Sequence, residues 1–488
     1  MNVLTLLGFG LALLTTGCLA QIETLPPSSG PPPFAASPDQ DRLVGIAVSG
    51  GGSRAAVFAA SALEALAEIS VQGRSGPQSV LETVGYISSV SGGSLATAYY
   101  VVKKPPKSEA VLGERGLSPA YRRLFDSFKR DMQMNFQLRA AIRQVLQFRA
   151  FNPTKFAYSF ADVWDSNFLD GLTFAQLYER ELRGDSPRVI FNGTSYNTGR
   201  RFVLTTLPAS EFDYDFVGRL LADLKSRPGR VTEEGLAIIA RSLEGAKEQF
   251  LPSTFQEIGG DPSSLRLSLA VATSASFPPV VGPVTYHVTG ADTYHHIGDG
   301  GLFDNLGTES LTTVFLKKIS PDPGETRKGL IIVIDASFPF DAGRYELDGS
   351  TKGFEVFKDD PSRIVGIMEE RANSYQAMLW HSLRVRGGVL PEFGNLRLVV
   401  LKHTDADWEG YDDLPDACRS EFPRAVTPEQ IKQAVSLIPT LFKIKHDCHG
   451  ALLIKAAHKV VQKHRHRIVN FIETAQKPEL SPSPRGTP

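Results

Sequence analysis

Cysteine is nearly absent from this 488-residue chain, which holds only Cys18, Cys418 and Cys448. So few thiols exclude a disulfide scaffold and supply no zinc-ligand spacing. Cys418 and Cys448 are either two buried thiols or one bridge. An excess of either charge is also missing: 52 basic residues face 53 acidic ones, for a net charge of −1. Without a cluster of lysine and arginine interleaved with aromatics, nucleic acid is excluded as a partner. No internal repeat is evident. No lysine followed by serine or threonine comes after the glycine run Gly50, Gly51, Gly52, so a P-loop is excluded as well. What the chain does have is 42% hydrophobic content, enough for one large core or two ordinary ones.

Residues 1–20 are apolar, carry no charged side chain and run into proline-rich sequence, the pattern of a bacterial export signal. Cys18-Leu19-Ala20 ahead of Gln21 fits ordinary signal-peptidase cleavage. Leu14-Thr15-Thr16-Gly17-Cys18 resembles a lipobox, in which Cys18 would become the lipidated N-terminus. The lipobox reading is preferred, and it predicts an exported, membrane-anchored protein. Residues 21–41, rich in proline, are expected to be a semi-extended spacer. Residues 476–488 are expected to be a disordered tail.

Between these ends, residues 42–475 read as one domain. Short apolar runs at 43–48 and 84–87 alternate with helical patterns at 55–69 and 94–102, which argues a sheet covered by helices, an α/β fold. The segment 55–69 is apolar around most of its circumference and is expected inside the core. Residues 104–185 differ in being charged and helical, with Phe125, Phe128, Phe136, Phe148, Phe151, Phe156, Tyr158 and Phe160 reading as exposed. They are expected to form a helical insertion or cap. Strands resume at 189–194 and 201–206 around the turn Asn197-Thr198-Gly199, a hairpin by its turn chemistry, and again at 330–335 and 396–401. Thr427-Pro428-Glu429-Gln430 opens a helix with an N-cap and a capping-box glutamine, and another helix is expected over about 450–471.

Three short motifs carry chemistry. Gly50, Gly51 and Gly52 follow the first strand, where unhindered amides at a helix start can hold negative charge. Ser91 follows the second strand, with Ser89 two residues before and Gly93 two after. Those small flanks are what a sharp strand-to-helix elbow needs to present a hydroxyl, although a plain N-cap explains Ser91 equally well on its own. Asp299, in Asp299-Gly300-Gly301, sits in a glycine turn from which its carboxylate could reach a neighbouring strand end. A serine hydroxyl needs both a base and pre-aimed donors for its oxyanion, and the three motifs supply candidates for each.

Taken together and in this order, the motifs resemble the patatin-like phospholipase family, kin to cytosolic phospholipase A2. The resemblance extends to Asn192-Gly193-Thr194 through Phe202, to Ala272 through Pro279, and to Ile438-Pro439-Thr440, covering about 43–460 apart from the insertion. It implies a three-layer α/β/α patatin-like domain and a lipid acyl hydrolase working through a Ser–Asp dyad. Ser91 would be the nucleophile, Asp299 its base, and Gly50, Gly51 and Gly52 the oxyanion hole. Arg54 would be a structural or phosphate-orienting cation, and Gly93, Gly300 and Gly301 supporting glycines. No metal or organic cofactor is implied; the partners are a lipid substrate and a membrane surface. One departure stands out, because Ser89 occupies the position where the family's elbow has its first glycine.

Other readings compete. An α/β-hydrolase triad could use Ser91, Asp299 and a later histidine such as His403. Of His295 and His296, neighbours in a strand, at most one could face the site. Gly50, Gly52 and Ala55 formally match a dinucleotide fingerprint, but the next strand lacks the acidic end that would bind ribose. A catalytically silent surface lipoprotein is a third class. Asp405 through Asp416 faintly resembles a calcium loop, with a solvated acidic loop preferred. Residues 452–472 form a basic amphipathic helix, read as packed on the domain in preference to a membrane.

Overall fold

Strands form where apolar residues run without interruption, and here ten of them gather into one sheet, beside two small two-stranded ones. The computed structural model describes residues 21–474, apart from 29–33, 36–42, 74–75, 148, 150–151, 227–231, 279–280, 320–326 and most of 339–389. The expected export segment, with Cys18, and the expected C-terminal tail lie outside the described residues, as do Phe148 and Phe151.

In chain order the main elements are β1 (Ile22–Leu25), β2 (Leu43–Val48), α1 (Gly52–Ala67), β3 (Tyr86–Val90) and α2 (Gly92–Lys103). Then come α3 (Pro119–Asp131), α4 (Phe136–Leu146), α5 (Pro153–Trp164), α6 (Phe174–Leu182) and the hairpin β4 (Arg188–Ser195) and β5 (Arg201–Thr205). They are followed by α7 (Leu267–Ser274), β6 (Val284–Val288), β7 (Tyr294–Asp299), α8 (Thr308–Ile319), β8 (Gly329–Asp335) and β9 (Leu396–Lys402), and finally by α9 (Pro428–Ser436) and α10 (Asp447–Thr474). The sheet order is β1-β6-β7-β4-β3-β2-β8-β9, with β5 pairing off β4. From β4 to β9 all neighbours are parallel, while β7 runs antiparallel between β6 and β4.

Alternation within single strands sorts the layers. Val44, Ile46 and Val48 of β2 enter one core together with α1, α2, α5, α7 and α10; Leu43 and Ala47 enter a second core with Leu311, Val314 and Phe315 of α8. A strand buried on both faces in this way is what a parallel sheet requires. The result is the expected three-layer α/β/α arrangement. Helix α1 is buried along its whole length, α9 starts with the Thr427–Gln430 capping box, and β4 and β5 form the expected hairpin.

The structure corrects two expectations. The stretch 21–41 is not all spacer: β1 adds to the sheet edge in parallel with β6, and Leu25 and Phe34 are buried. The insertion is helical as expected, but its described aromatics are not exposed. Phe125, Phe128, Phe136, Tyr158 and Phe160 are buried in the same core as α1 and α2, and Tyr99 of α2 stacks on Phe128 at 4.4 Å. The charges around these rings belong to the outer faces of α3 to α6.

The acidic loop and the basic helix explain each other. Asp413 pairs with Lys455 at 2.8 Å and Lys459 at 2.9 Å, and Asp407 pairs with Lys463 at 3.0 Å. Helix α10 therefore docks on its own domain, and among the described residues no helix is long and apolar enough to cross a membrane. No group of acidic, histidine or cysteine side chains suited to a metal ion occurs among them either. Cys418 and Cys448 form a disulfide that closes a 30-residue separation and ties this loop to the first turn of α10. Replacing both cysteines by serine is expected to lower stability by about 3–4 kcal/mol from lost loop closure, read as a fall in the urea midpoint.

Candidate active site

The sheet register brings two strand ends together. Val90, the last residue of β3, pairs with Asn192 of β4, and Asp299, the last of β7, pairs with Gly193. Strand β4 therefore holds the elbow on one side and the aspartate on the other. Ser91 forms the whole turn between β3 and α2, at φ 51° and ψ −121°, a backbone that costs an L residue on the order of 1–3 kcal/mol.

Small polar groups pin this strained turn. The Ser91 amide donates to the carbonyl of Ser274 at 3.2 Å and to its Oγ at 3.1 Å. Ser274 Oγ donates to the Asn192 carbonyl at 2.6 Å and lies 2.9 Å from Ser94 Oγ, which reaches Ser89 Oγ at 3.2 Å. Asn192 Nδ2 donates to Ser88 Oγ and to the Ser89 carbonyl, both at 2.9 Å, while its Oδ1 accepts from Ser310 Oγ at 2.7 Å. Ser89 thus fits where glycine was expected, with its hydroxyl satisfied inside the elbow.

Asp299 is 1% exposed. Its backbone N–H donates to the Ser276 carbonyl and its carbonyl accepts from Thr194 Oγ1 at 2.8 Å. Oδ1 accepts from the Gly301 amide at 2.8 Å, whereas Oδ2 has no hydrogen bond of regular geometry. Burial pushes this carboxyl up to about 7, with the Gly301 amide and the Ser91 hydroxyl pulling in the opposite direction. One oxygen is therefore fixed and the other is left to take a proton, on a group whose pKa suits a base near neutral pH.

The glycine loop lies against the same turn. A Cβ added to Gly50 would stand 3.4 Å from Ser91 Cβ, and one on Gly92 only 2.0 Å from the Gly52 carbonyl oxygen. Gly51 and Gly52 have φ of 137° and 59°, which glycine alone adopts freely. The Gly50 amide, expected among the oxyanion donors, instead donates to the Asn305 carbonyl at 2.9 Å. Among the described residues the amides of Gly51, Gly52 and Gly92 donate to no backbone carbonyl. They lie at two adjoining helix N-termini, where partial positive charge accumulates.

Residues 46–312 match the family model of patatin-like phospholipases. The chain belongs to the patatin-like phospholipase family. Among solved structures it is similar to human GIVD cytosolic phospholipase A2 in complex with methyl gamma-linolenyl fluorophosphonate and terbium chloride. That match has 14% identity and a TM-score of 0.44 over 90% of this chain and 60% of that one. The human enzyme by itself matches at 14% identity and TM-score 0.43, over 89% and 60% of the two chains. VipD from Legionella pneumophila gives 11% identity and TM-score 0.25 over 90% and 71%. The chain thus spans about three fifths of the human enzyme's length. No curated protein sequence matches it significantly.

Within this patatin-like site Arg54 is fully buried, its Nε donating to the Ala336 carbonyl at 2.8 Å and its Nη1 to that of Ile438 at 2.7 Å. It ties α1 to the chain after β8 and after α9. Gly93 and Gly300 are places of close backbone approach: a Cβ would come within 2.5 Å of the Ser49 carbonyl oxygen and 2.4 Å of that of Asn192.

His403 belongs elsewhere. Its ring lies 3.3 Å from the Asp335 carbonyl and edge-on to Phe58, and burial beside the Arg54 charge pushes it down to about 3. His296 bonds Thr285 Oγ1, and His295 approaches Thr293. None of the three is hydrogen-bonded to Ser91 or Asp299 among the described residues. For the dinucleotide reading, the atoms nearest a Cβ on Gly50 among the described residues belong to the neutral side chain of Asn305 and to Ser91, not to a carboxylate that could bind ribose.

Gly92, Asn192, Ser274 and Asn305 lie in the stretches the motifs span, but the motifs assign them no role at the site. Gly92 had a signal, since the residue after an elbow nucleophile supplies an oxyanion amide in related architectures. Gly92→Ala is expected to lower kcat at least about 100-fold, because its methyl must push the Gly52 loop away and the oxyanion donors with it. Single-turnover kinetics on a soluble ester would check this.

Proposed function

We propose that this protein is a lipid acyl hydrolase whose nucleophile is Ser91 and whose base is Asp299. The observation that carries the reading is the buried Asp299 carboxyl, with Oδ1 fixed by Gly301, Oδ2 without a hydrogen bond of regular geometry, and the Ser91 hydroxyl at the tip of a strained elbow close enough to lower its pKa.

The chemistry follows from those positions. Asp299 takes the hydroxyl proton as Ser91 Oγ attacks the acyl carbonyl carbon. The resulting oxyanion is received by the amides of Gly51, Gly52 and Gly92. Collapse breaks the ester bond, and the departing alcohol, a lysolipid or glycerol fragment, takes the proton back from Asp299. Water activated by the same carboxylate then attacks the acyl-enzyme and releases the fatty acid.

The apolar, uncharged residues 1–20 and the lipobox-like sequence ending at Cys18 support an exported location with a lipid anchor as part of the same proposal. Mass spectrometry of the mature N-terminus tests it: a diacylated Cys18 supports the anchor, and an unmodified Gln21 start refutes it.

The function is tested by measuring fatty-acid release from a panel of phospholipids and neutral esters. Release from at least one lipid class, lost after fluorophosphonate treatment, is expected. Failure to release acid from any of them would refute the reading.

A further inference from the structure

One side of α4 has no partner among the described residues. Leu138, Ile142, Val145 and Leu146 are exposed by 56%, 51%, 64% and 72%, and positions i, i+4, i+7 and i+8 fall on a single helix face. The opposite side, Phe136, Ala140 and Gln144, is buried. A row of four large aliphatics facing outward is unusual on a soluble surface and marks a contact site.

The charges around the row say what it contacts. The helix sequence FQLRAAIRQVL contains Arg139 and Arg143 and no acidic residue. Arg139 donates to Asn167 Oδ1 at 2.7 Å, and Arg143 donates to the Asp162 carbonyl at 3.3 Å and to Ser166 Oγ at 3.2 Å. These acceptors are neutral, so the hydrogen bonds place the guanidinium groups without cancelling their charge. Aliphatics beside uncancelled cations complement the acyl chains and headgroups of an anionic lipid surface. A second copy of the chain fits less well, since a two-fold contact through this face would set the same arginines against each other.

The helix is also wired to the candidate active site. The amides of Phe136 and Gln137 donate to the Phe442 carbonyl at 2.9 and 3.3 Å, and the neighbouring Leu441 carbonyl accepts from Ser53 at 2.7 Å. A Cβ on Gly52 would meet Leu441 O at 2.5 Å. The first turn of α4 is thus separated from the oxyanion loop by the two residues 441 and 442.

We propose that the exposed face of α4 seats the enzyme on anionic bilayers, bringing the Ser91 elbow to the lipid it cleaves. This rests on the lipid-hydrolase reading for its purpose, but docking and catalysis can fail separately.

The test uses the full chain carrying Cys18→Ala, so that no lipid anchor contributes. Sedimentation with phosphatidylcholine vesicles, with and without phosphatidylglycerol, is compared with hydrolysis of a short-chain monomeric ester. Binding is expected to rise with phosphatidylglycerol and fall with salt. Leu138→Ser, Ile142→Ser, Val145→Ser and Leu146→Ser together are expected to reduce it about tenfold or more, and Arg139→Gln with Arg143→Gln about tenfold on anionic vesicles only. Turnover of the monomeric ester is expected to be unchanged in both variants. Vesicle binding indifferent to the serine substitutions overturns the proposal. So does a concentration-dependent dimer that those substitutions dissolve. If the wild-type face binds vesicles but no ester is hydrolysed, docking stands and the hydrolase reading falls.

Discussion

Alanine at position 91 is expected to lower ester hydrolysis by about four orders of magnitude or more, the scale seen when a serine nucleophile is removed, and to end fluorophosphonate labelling. The fold should survive, because the elbow is held through the backbone. The Ser91 amide rests on Ser274 and the neighbouring strand end on Asn192, and none of these contacts uses the Ser91 hydroxyl. Ser91→Gly should be equally inactive yet more stable than the wild type by about 1 kcal/mol, since φ 51° is natural for glycine. A melting temperature that rises while activity vanishes would show that the strain serves catalysis. An active Ser91→Ala enzyme would remove the nucleophile from the account.

Asp299→Asn is expected to be nearly as damaging, because among the described residues no histidine is hydrogen-bonded to Ser91 to take the proton. In the wild type, kcat/KM should rise with pH through about 7, where burial places the Asp299 carboxyl. Stability should run the other way. The folded-state pKa lies above the ordinary value of 3.8, so the Asp299 contribution is fully present below pH ~4 and is lost as the pH climbs through 7. Asparagine keeps an oxygen for the Gly301 amide and carries no charge. At pH 8 it should therefore stabilise the protein by ~2–4 kcal/mol while abolishing turnover. If Asp299→Asn stays active and substitution of His295, His296 or His403 kills the enzyme, a histidine triad replaces the dyad.

Legibility in the sequence followed the range of the interactions. Strands β2 and β8 were readable because both of their faces are buried, leaving unbroken apolar runs; β9, at the sheet edge, was readable from its Leu and Val content although Arg397 and Val400 are exposed. The capping box at Thr427 and the turn at Asn197 were readable because their hydrogen bonds are local. Strand β1 was not, since its four residues precede a proline-rich stretch and pair with Thr285 to Val288, more than 250 residues away. The aromatics of the insertion looked exposed because charged neighbours on the outer helix faces masked an inward stripe.

The same division holds at the site. Ser91, Asp299 and the glycine loop announce themselves by spacing, and the resemblance to patatin-like phospholipases rests on them. The use of the Gly50 amide by Asn305 depends on a contact across 255 positions, which no spacing encodes. Asn192 and Ser274 are ordinary small polar residues until the register of β4 places them beneath the elbow.

Mapping a fluorophosphonate adduct by peptide mass spectrometry tests the central claim most directly. Modification is expected at Ser91, at a rate that rises through about pH 7 as Asp299 ionises, with no adduct in Asp299→Asn. Modification at Ser88, Ser89 or Ser94, or labelling that persists without the Asp299 carboxylate, would contradict it.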